Sequence, residues 1–435
     1  MVHHENGVAV PVSSADTRRL VVVSLLGTSL VWYDFFLYVD ASVVVFRHQF
    51  FPFLAPFADV LTFVGLYGAG LVARPAGGML FGHIGDRFGR RPVLVATLLL
   101  TGVCTGLIGL LPAYQRIGLA APVLLVILRL LQGLGLGGAW GAAAVVSLEC
   151  APPDRRGRIS SWAQAGAPAG NLLAFGMMTA VSASMSPARF VLWGWRLSFL
   201  LSAVLVVVGL WARVRIVETP AFRELSSTGG RCRRPFAELL REHRAGLATA
   251  VAVAVGADVV LFTFSFGYVL GFLRIAGLGF PSLLVLAVLA PLALVMLIPV
   301  FGAVSDRCGR RAVCLAGTAG TAAWVAVFLP LIQARSLSVL VPACVGGLVA
   351  FAAMYAPQAA LISELFPGRV RLSGVSTGYQ LAGLLGGTLS TMATQVTSWL
   401  ADPGTTLVYV LAALAVTTGA LVLVPRHEAR EGVPA

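Results

Sequence analysis

Three aspartates stand where carboxylates are rare. Asp34 and Asp40 lie in an apolar run of about 20–46, within the stretch VWYDFFLYVDAS (31–42), and Asp258 sits near the middle of a run of about 246–273. A charge in apolar surroundings costs roughly 2.5–3.5 kcal/mol even on lenient insertion scales, so these side chains are expected to face protein interior or water. Carboxyls so placed are suited to carry a proton or to meet a cationic group. Asp34 and Asp40 are six residues apart, about 240° around a helix, so they do not form a paired site by themselves. Three arginines also fall in or at the edge of apolar runs: Arg74, Arg129 and Arg196. Arginine stays charged, so each needs a carboxylate, a backbone oxygen or an anionic ligand. Its planar fork fits a carboxylate with two parallel hydrogen bonds. Gln132 follows Arg129 by one helical turn. Tyr355, Gln358, Tyr379 and Gln380 are further polar candidates within apolar runs.

The elements that must hold these residues are long. The 435 residues are 58% hydrophobic and only 11% charged, against roughly 25% charged in a soluble domain. Twelve runs are long enough for a spanning helix, which needs roughly 20 apolar residues: about 20–46, 57–81, 92–112, 121–149, 159–183, 191–216, 246–273, 281–304, 312–334, 337–364, 371–399 and 404–425. Runs of this length exclude barrel strands. The sequence predicts an all-α membrane protein of twelve transmembrane helices. The first run is too long for a cleavable signal peptide and is expected to stay as a helix.

The 31 basic residues are all arginine. With both termini in the cytoplasm, 23 fall in cytoplasmic segments and five in external loops, which is the positive-inside bias. The net charge of +13 is thus a topology signal, and no nucleic-acid partner is expected. The six cysteines lack metal-ligand spacing, and the six histidines lie at ends, loops or tails. No metal, cofactor or enzymatic constellation is expected. The basic stretch 217–245 divides a 20–216 bundle from a 246–425 bundle, with tails at 1–19 and 426–435.

The two halves are related. FGHIGDRFGRRPVLVA (81–96) and FGAVSDRCGRRAVCLA (301–316) match at 9 of 16 positions, which makes the repeat unit six helices. Parallel repeats of this kind place a substrate site near the midplane between halves that rock against each other. Gly82, Asp86, Arg87, Gly89, Arg90 and Arg91 in the first copy, Asp306, Arg307 and Arg310 in the second, and Glu149 and Glu364 at two helix ends are candidates for a conformational latch. Its charges would pair in one state and separate in the other.

The Gly-x-x-x-Asp-Arg-x-Gly-Arg-Arg loop resembles the signature of the major facilitator superfamily. The resemblance extends to Trp32-Tyr33-Asp34-Phe35, Arg74-Pro75-x-Gly77-Gly78, Arg129-Leu-Leu-Gln132-Gly133, Trp193-Gly194-Trp195-Arg196, Glu218-Thr219-Pro220-x-Phe222 and Glu364-Leu-Phe-Pro367-x-Arg369. As an ordered set these are similar to the metabolite:proton symporter branch. That resemblance implies a secondary transporter in the cell membrane, working by alternating access. It would take up a small organic acid or zwitterion with a proton, as a functional monomer. The chain departs from the branch at two points, with Val31 and Ala139 where relatives typically carry glutamate. Coupling at those positions therefore does not transfer, and Asp40 and Asp258 are candidate replacements. A proton-antiporting exporter and a non-transporting sensor on the same scaffold are the competing readings.

Overall fold

The computed structural model describes residues 4–5, 8–9, 14–52, 59–214, 218–264, 280–331, 337–400 and 403–424. Tyr268, Arg274 and Arg335 lie outside them, as do residues 425–435. The described chain is almost wholly helical, apart from a two-residue antiparallel pair, β1 (His4–Glu5) and β2 (Val8–Ala9). In the first half, α1 (Ser14–Ala41), α2 (Asp59–Phe88), α3 (Arg90–Leu110), α4 (Ala120–Glu149), α5 (Arg156–Ala183) and α6 (Trp195–Val214) follow the predicted runs. Two short helices occupy the stretch between halves, α7 (Pro220–Ser227) and α8 (Pro235–Glu242). The second half contains α9 (Arg244–Phe262), α10 (Phe280–Cys308), α11 (Arg310–Leu331), α12 (Leu337–Tyr355), α13 (Gln358–Glu364), α14 (Arg371–Leu400) and α15 (Pro403–Leu423).

Two departures from the sequence reading have local causes. The run 337–364 is not one helix but breaks between Tyr355 and Gln358. Pro357 lacks an amide hydrogen and cannot bond back to the preceding turn. The stretch between the halves, read from the sequence as a polar loop, carries α7 and α8. Each begins with proline at its first turn, and Thr219 caps α7 by accepting from the Phe222 amide at 3.3 Å, the arrangement that starts short helices.

Small residues set the helix spacing. In α2 and α4, Gly77 lies against the Leu134 carbonyl, Gly133 against Gly70, and Gly137 against the Arg74 carbonyl. Such contacts let backbones approach within the membrane, where lipid supplies little drive for helix association. Between the halves, α2 packs on α14 and α5 packs on α10. A methyl on Gly82 would come 2.7 Å from Ser373 Cα, and one on Gly157 would come 2.8 Å from the Gly302 carbonyl. At the far end of the first half, Phe46, Phe50, Trp195 and Phe199 pack edge to face around one another. Each such aromatic pair is worth about 0.5–1.5 kcal/mol beyond its buried area.

Candidate functional site

The charged residues of α2 and α4 converge on one aromatic ring. Phe35 lies between two guanidiniums, with Arg74 Cζ 4.3 Å and Arg129 Cζ 5.0 Å from its centroid. Arg74 also faces Trp32 at 5.3 Å, and Arg129 faces Tyr38 at 4.0 Å. Both arginines are buried, at 3% and 2% exposure. Desolvated cation–π contacts of this kind are worth about 2 kcal/mol, so the rings of α1 hold the guanidiniums where water does not reach.

Arg129 is positioned by a short chain of polar groups. Its Nη1 donates to Gln132 Oε1 at 2.9 Å, and Gln132 Nε2 donates to Thr105 Oγ1 at 2.7 Å. The Thr105 hydroxyl also meets the Asp34 carboxyl. Asp34, at 2% exposure, thus connects to Arg129 through two intermediate side chains. Between the two arginines lies a cavity of about 10 Å³, lined by Val31, Phe35, Gly70, Arg74, Thr101, Arg129, Gln132, Gly133 and Leu136. That is room for about one water. Among the described residues its lining holds two guanidiniums, one amide, the Thr101 hydroxyl and no carboxylate.

The facing half contributes Asp258, Tyr355, Tyr379 and Gln380. Asp258 packs its Cβ against Gly386 of α14, and the adjoining Gly387 lies against Leu71 of α2. The Tyr355 and Tyr379 hydroxyls are 3.1 Å apart, and Gln380 lies against Gly78 of α2. Gln358 turns away towards α9, donating to the Val253 carbonyl at 3.3 Å. Trp140 of α4 stacks on Tyr379, with centroids 3.4 Å apart and an interplanar angle of 12°. Its Nε1 donates to Gln164 Oε1 at 2.7 Å, and Gln164 Nε2 donates to the Tyr355 carbonyl at 3.1 Å. An aromatic and hydrogen-bonded bridge therefore joins the halves beside the cavity.

Besides Gln358, two predicted site residues stand apart from this group. Arg196 donates from Nη1 to the carbonyls of Gly109 and Leu111, at 3.1 and 2.7 Å, and so ties down the end of α3. Asp40 is partly exposed near the end of α1 and does not line the cavity.

At the arginine-rich end, the two copies of the repeated loop do the same thing across the interface. Asp86 Oδ1 and Oδ2 accept from the Leu372 and Ser373 amides at 3.1 and 2.8 Å, the first turn of α14. Asp306 Oδ1 and Oδ2 accept from the Gly157 and Arg158 amides at 2.7 and 2.8 Å, the first turn of α5. A carboxylate at a helix N-terminus satisfies orphan amides and complements the helix dipole. Burial pushes the Asp86 carboxyl up to about 6, against the pull of Arg90 and of the amides it accepts from.

Around these contacts Arg90, fully buried, pairs with Asp86 at 3.2 Å and Glu149 at 3.3 Å, and donates to the Gly368 carbonyl at 2.7 Å. Arg371 pairs with Glu149 at 3.1 Å, and Arg310 with Glu364 at 2.5 Å. Gly89 and Gly309 occupy equivalent positions, with φ of 117° and 88°, a region that disfavours residues with a Cβ. Arg87, Arg91 and Arg307 lie exposed at this end.

Several contributors escaped the sequence reading. Glu218 accepts from the Arg90 and Arg91 amides at 2.9 and 3.2 Å. Thr219 donates to Glu149 at 2.7 Å, and the Phe222 ring lies 4.8 Å from Arg90. These residues stood in a quoted motif without an assigned role. Trp140 and Thr105 carried no signal beyond their side-chain types. Glu238, Glu242 and His243 come within metal-ligating distance of one another, but Arg369 already pairs with both glutamates, at 2.6 and 3.4 Å.

This architecture is that of a membrane transporter, and comparison with known proteins agrees. Residues 50–298 match the Major Facilitator Superfamily, and residues 235–431 match the sugar (and other) transporter family. The chain is 36% identical to the inner membrane metabolite transport protein YhjE of Escherichia coli K12, covering 97% of this chain and 96% of that one. It is 33% identical to the shikimate transporter of the same organism, over 86% of each chain. The fold is similar to that of the proton:xylose symporter XylE, with a TM-score of 0.76 at 17% identity, covering 95% of this chain and 97% of that one. The protein belongs to the major facilitator superfamily. Its close relatives are metabolite transporters, not enzymes.

Proposed function

We propose that the protein takes up a small carboxylate or zwitterionic metabolite together with a proton, across the cytoplasmic membrane of a bacterial cell. Both termini lie in the cytoplasm in this reading, and the twelve-helix monomer is the working unit. The observation that carries it is the pair Arg74 and Arg129 on one small cavity whose lining, among the described residues, holds no carboxylate. Two buried guanidiniums facing an enclosed space suit an anionic group, which would be held in a low-dielectric site by charge-assisted hydrogen bonds. The similarity to the shikimate transporter supports the same class. The excess of arginine at the end bearing the 82–91 and 302–311 loops supports a cytoplasmic placement of that end.

The interlocked contacts of Asp86 and Asp306 act as a latch in this reading. They hold the arginine-rich end closed while the opposite side admits substrate, and release when the halves rock. The test is uptake by proteoliposomes with a pH dye in the lumen and no imposed voltage. Shikimate, 2-oxoglutarate, citrate, proline and betaine are added outside in turn. Lumen acidification on adding one compound establishes symport and names the class. Labelled substrate entering without a pH change refutes proton coupling, and silence for every compound in both readouts refutes the uptake reading.

A further inference from the structure

A repeated set of polar side chains lies between the aromatic bridge and the Asp86 contact. Ser373, Ser376, Thr377 and Gln380 follow one another on α14 at helical spacing, which puts them on one face. Seven residues of helix span about 10 Å, from the turn whose amides Asp86 holds to the Tyr379 stack on Trp140. α5 carries the same set. Ser160, Ser161 and Gln164 stand 216 positions before Ser376, Thr377 and Gln380, and Gly157 stands in the place of Ser373. Each lane faces glycine of the other half. A methyl on Gly78 of α2 would come 2.9 Å from the Ser376 carbonyl, and one on Gly141 of α4 would collide with Ser376 Oγ. A methyl on Gly302 of α10 would collide with Ser161 Oγ. α5 also packs on α13, as α14 packs on α4.

Hydroxyls in these lanes are treated differently from those elsewhere. Thr97, Thr101, Thr105, Thr318, Thr321 and Ser363 are buried, and each donates to the carbonyl four residues back. Ser160, Ser373, Ser376 and Thr377 lie at 0–1% exposure, and their hydroxyls have no hydrogen-bond partner among the described residues. The glycines opposite bring backbone against them. A buried hydroxyl without a partner has lost its hydration with nothing in exchange, so it raises the free energy of the closed arrangement.

We propose that the two lanes are walls of the cytoplasmic exit route, and that their unmet hydroxyls set how readily it opens. This rests on the reading of Asp86 and Asp306 as a latch that releases when the halves rock, and is independent of the coupling ion and the metabolite. When α14 parts from α2 and α4, and α5 from α10 and α13, these hydroxyls meet water and regain their hydrogen bonds. Closing strips that water away again. A polar group leaving the cavity then passes hydrated hydroxyls and amides along its way to the cytoplasm. The latch carboxylates favour the closed end and the lanes oppose them, so the end does not lock shut. Hydroxyls that merely fill space between helices would leave the opening equilibrium unchanged.

Two measurements on the full-length protein test this. In a background with the six native cysteines replaced, Ser160→Cys, Ser376→Cys and Thr377→Cys in inside-out vesicles meet a charged thiol reagent from the cytoplasmic side. Val375→Cys, at a position buried on α14 but off the lane, is the control. The lane cysteines are expected to react, and about fivefold faster or more when Asp86→Asn is added, while Val375→Cys stays unreactive. The second measurement compares the parent with Ser376→Ala combined with Thr377→Val, using spin labels at Phe88→Cys and Cys308 to read the separation of the halves. Its open fraction is expected to fall by about fivefold or more, with the melting temperature level or raised because no hydrogen bond is lost. Lane cysteines that react no faster than Val375→Cys, in a protein whose spin labels do separate, overturn the exit route. An open fraction unchanged or raised in the double variant overturns the role of the hydroxyls. Spin labels that separate neither in the parent nor in Asp86→Asn refute the latch, and the proposal falls with it.

Discussion

Trp140 and Tyr379 stack face to face, one ring from each half of the molecule, with centroids 3.4 Å apart and planes 12° from parallel. Neither ring can leave this position unless the halves separate, because each is held at its edge. Trp140 donates to Gln164, and Tyr379 meets Tyr355. The stack is thus an interaction that exists only in the closed arrangement, and its loss biases the equilibrium towards opening. For Trp140→Ala we expect the arginine-rich end to open more often and net uptake to fall. Spin labels at Phe88→Cys and the exposed Cys308, with the other cysteines replaced, report the separation of the two equivalent loops. A distribution unchanged from the parent would mean that the stack does not gate.

The interface carboxylates give a sharper expectation. Asp86→Asn removes the charge that holds the Leu372 and Ser373 amides and leaves Arg90 short of one partner. A hydrogen bond to a charged group is worth about 1.5–3 kcal/mol, so the closed-to-open ratio should fall by about tenfold or more. Turnover slows accordingly, while substrate affinity, which the proposed function places at the distant Arg74–Arg129 cavity, holds. Parallel measurements of equilibrium binding and initial uptake rate check this. Wild-type turnover in Asp86→Asn would show that the contact is incidental.

The two loop glycines allow a comparison within one protein. Gly89 and Gly309 both have positive φ, but a methyl on Gly89 would collide with the Glu218 carboxylate, whereas at Gly309 the space is open. Gly309→Ala should cost about 1–2 kcal/mol for the backbone conformation alone. Gly89→Ala should cost more, since it also displaces the cap on the Arg90 and Arg91 amides. Thermal unfolding of the purified variants ranks the two. Equal losses would mean that Glu218 moves aside freely.

Charged residues within apolar runs were legible in the sequence because their cost demands a reason, and this drew notice to Asp34, Asp258, Arg74 and Arg129. The repeated loop was legible for the same kind of reason, since a motif copied at a fixed offset implies a copied environment. What sequence could not supply was which groups face each other. Asp258 of α9 and Leu71 of α2 come to adjacent positions only because both helices pack on Gly386 and Gly387 of α14. Arg196 shows the converse. Its residue type and place in a run suggested a ligand contact, but it lies at the end of α3, where two backbone carbonyls take its donors. Trp140 sits in a run of small residues, and nothing in its neighbours along the chain announces a partner far away in α14.

Gly70 offers the cleanest test of whether Arg129 touches substrate. The glycine leaves the space that the Arg129 side chain occupies: a Cβ there would come 2.5 Å from Nε and 2.9 Å from Cζ. Gly70→Ala therefore displaces the guanidinium from the cavity without removing its charge. The displaced group loses its alignment with Gln132 and its place over Tyr38. In the helix itself alanine is favoured over glycine by about 1 kcal/mol, but the displaced guanidinium gives up contacts worth about 2 kcal/mol, so the melting temperature should fall slightly. We expect apparent affinity for a carboxylate substrate to drop by about tenfold or more. Unchanged affinity at a lowered melting temperature would mark Arg129 as structural.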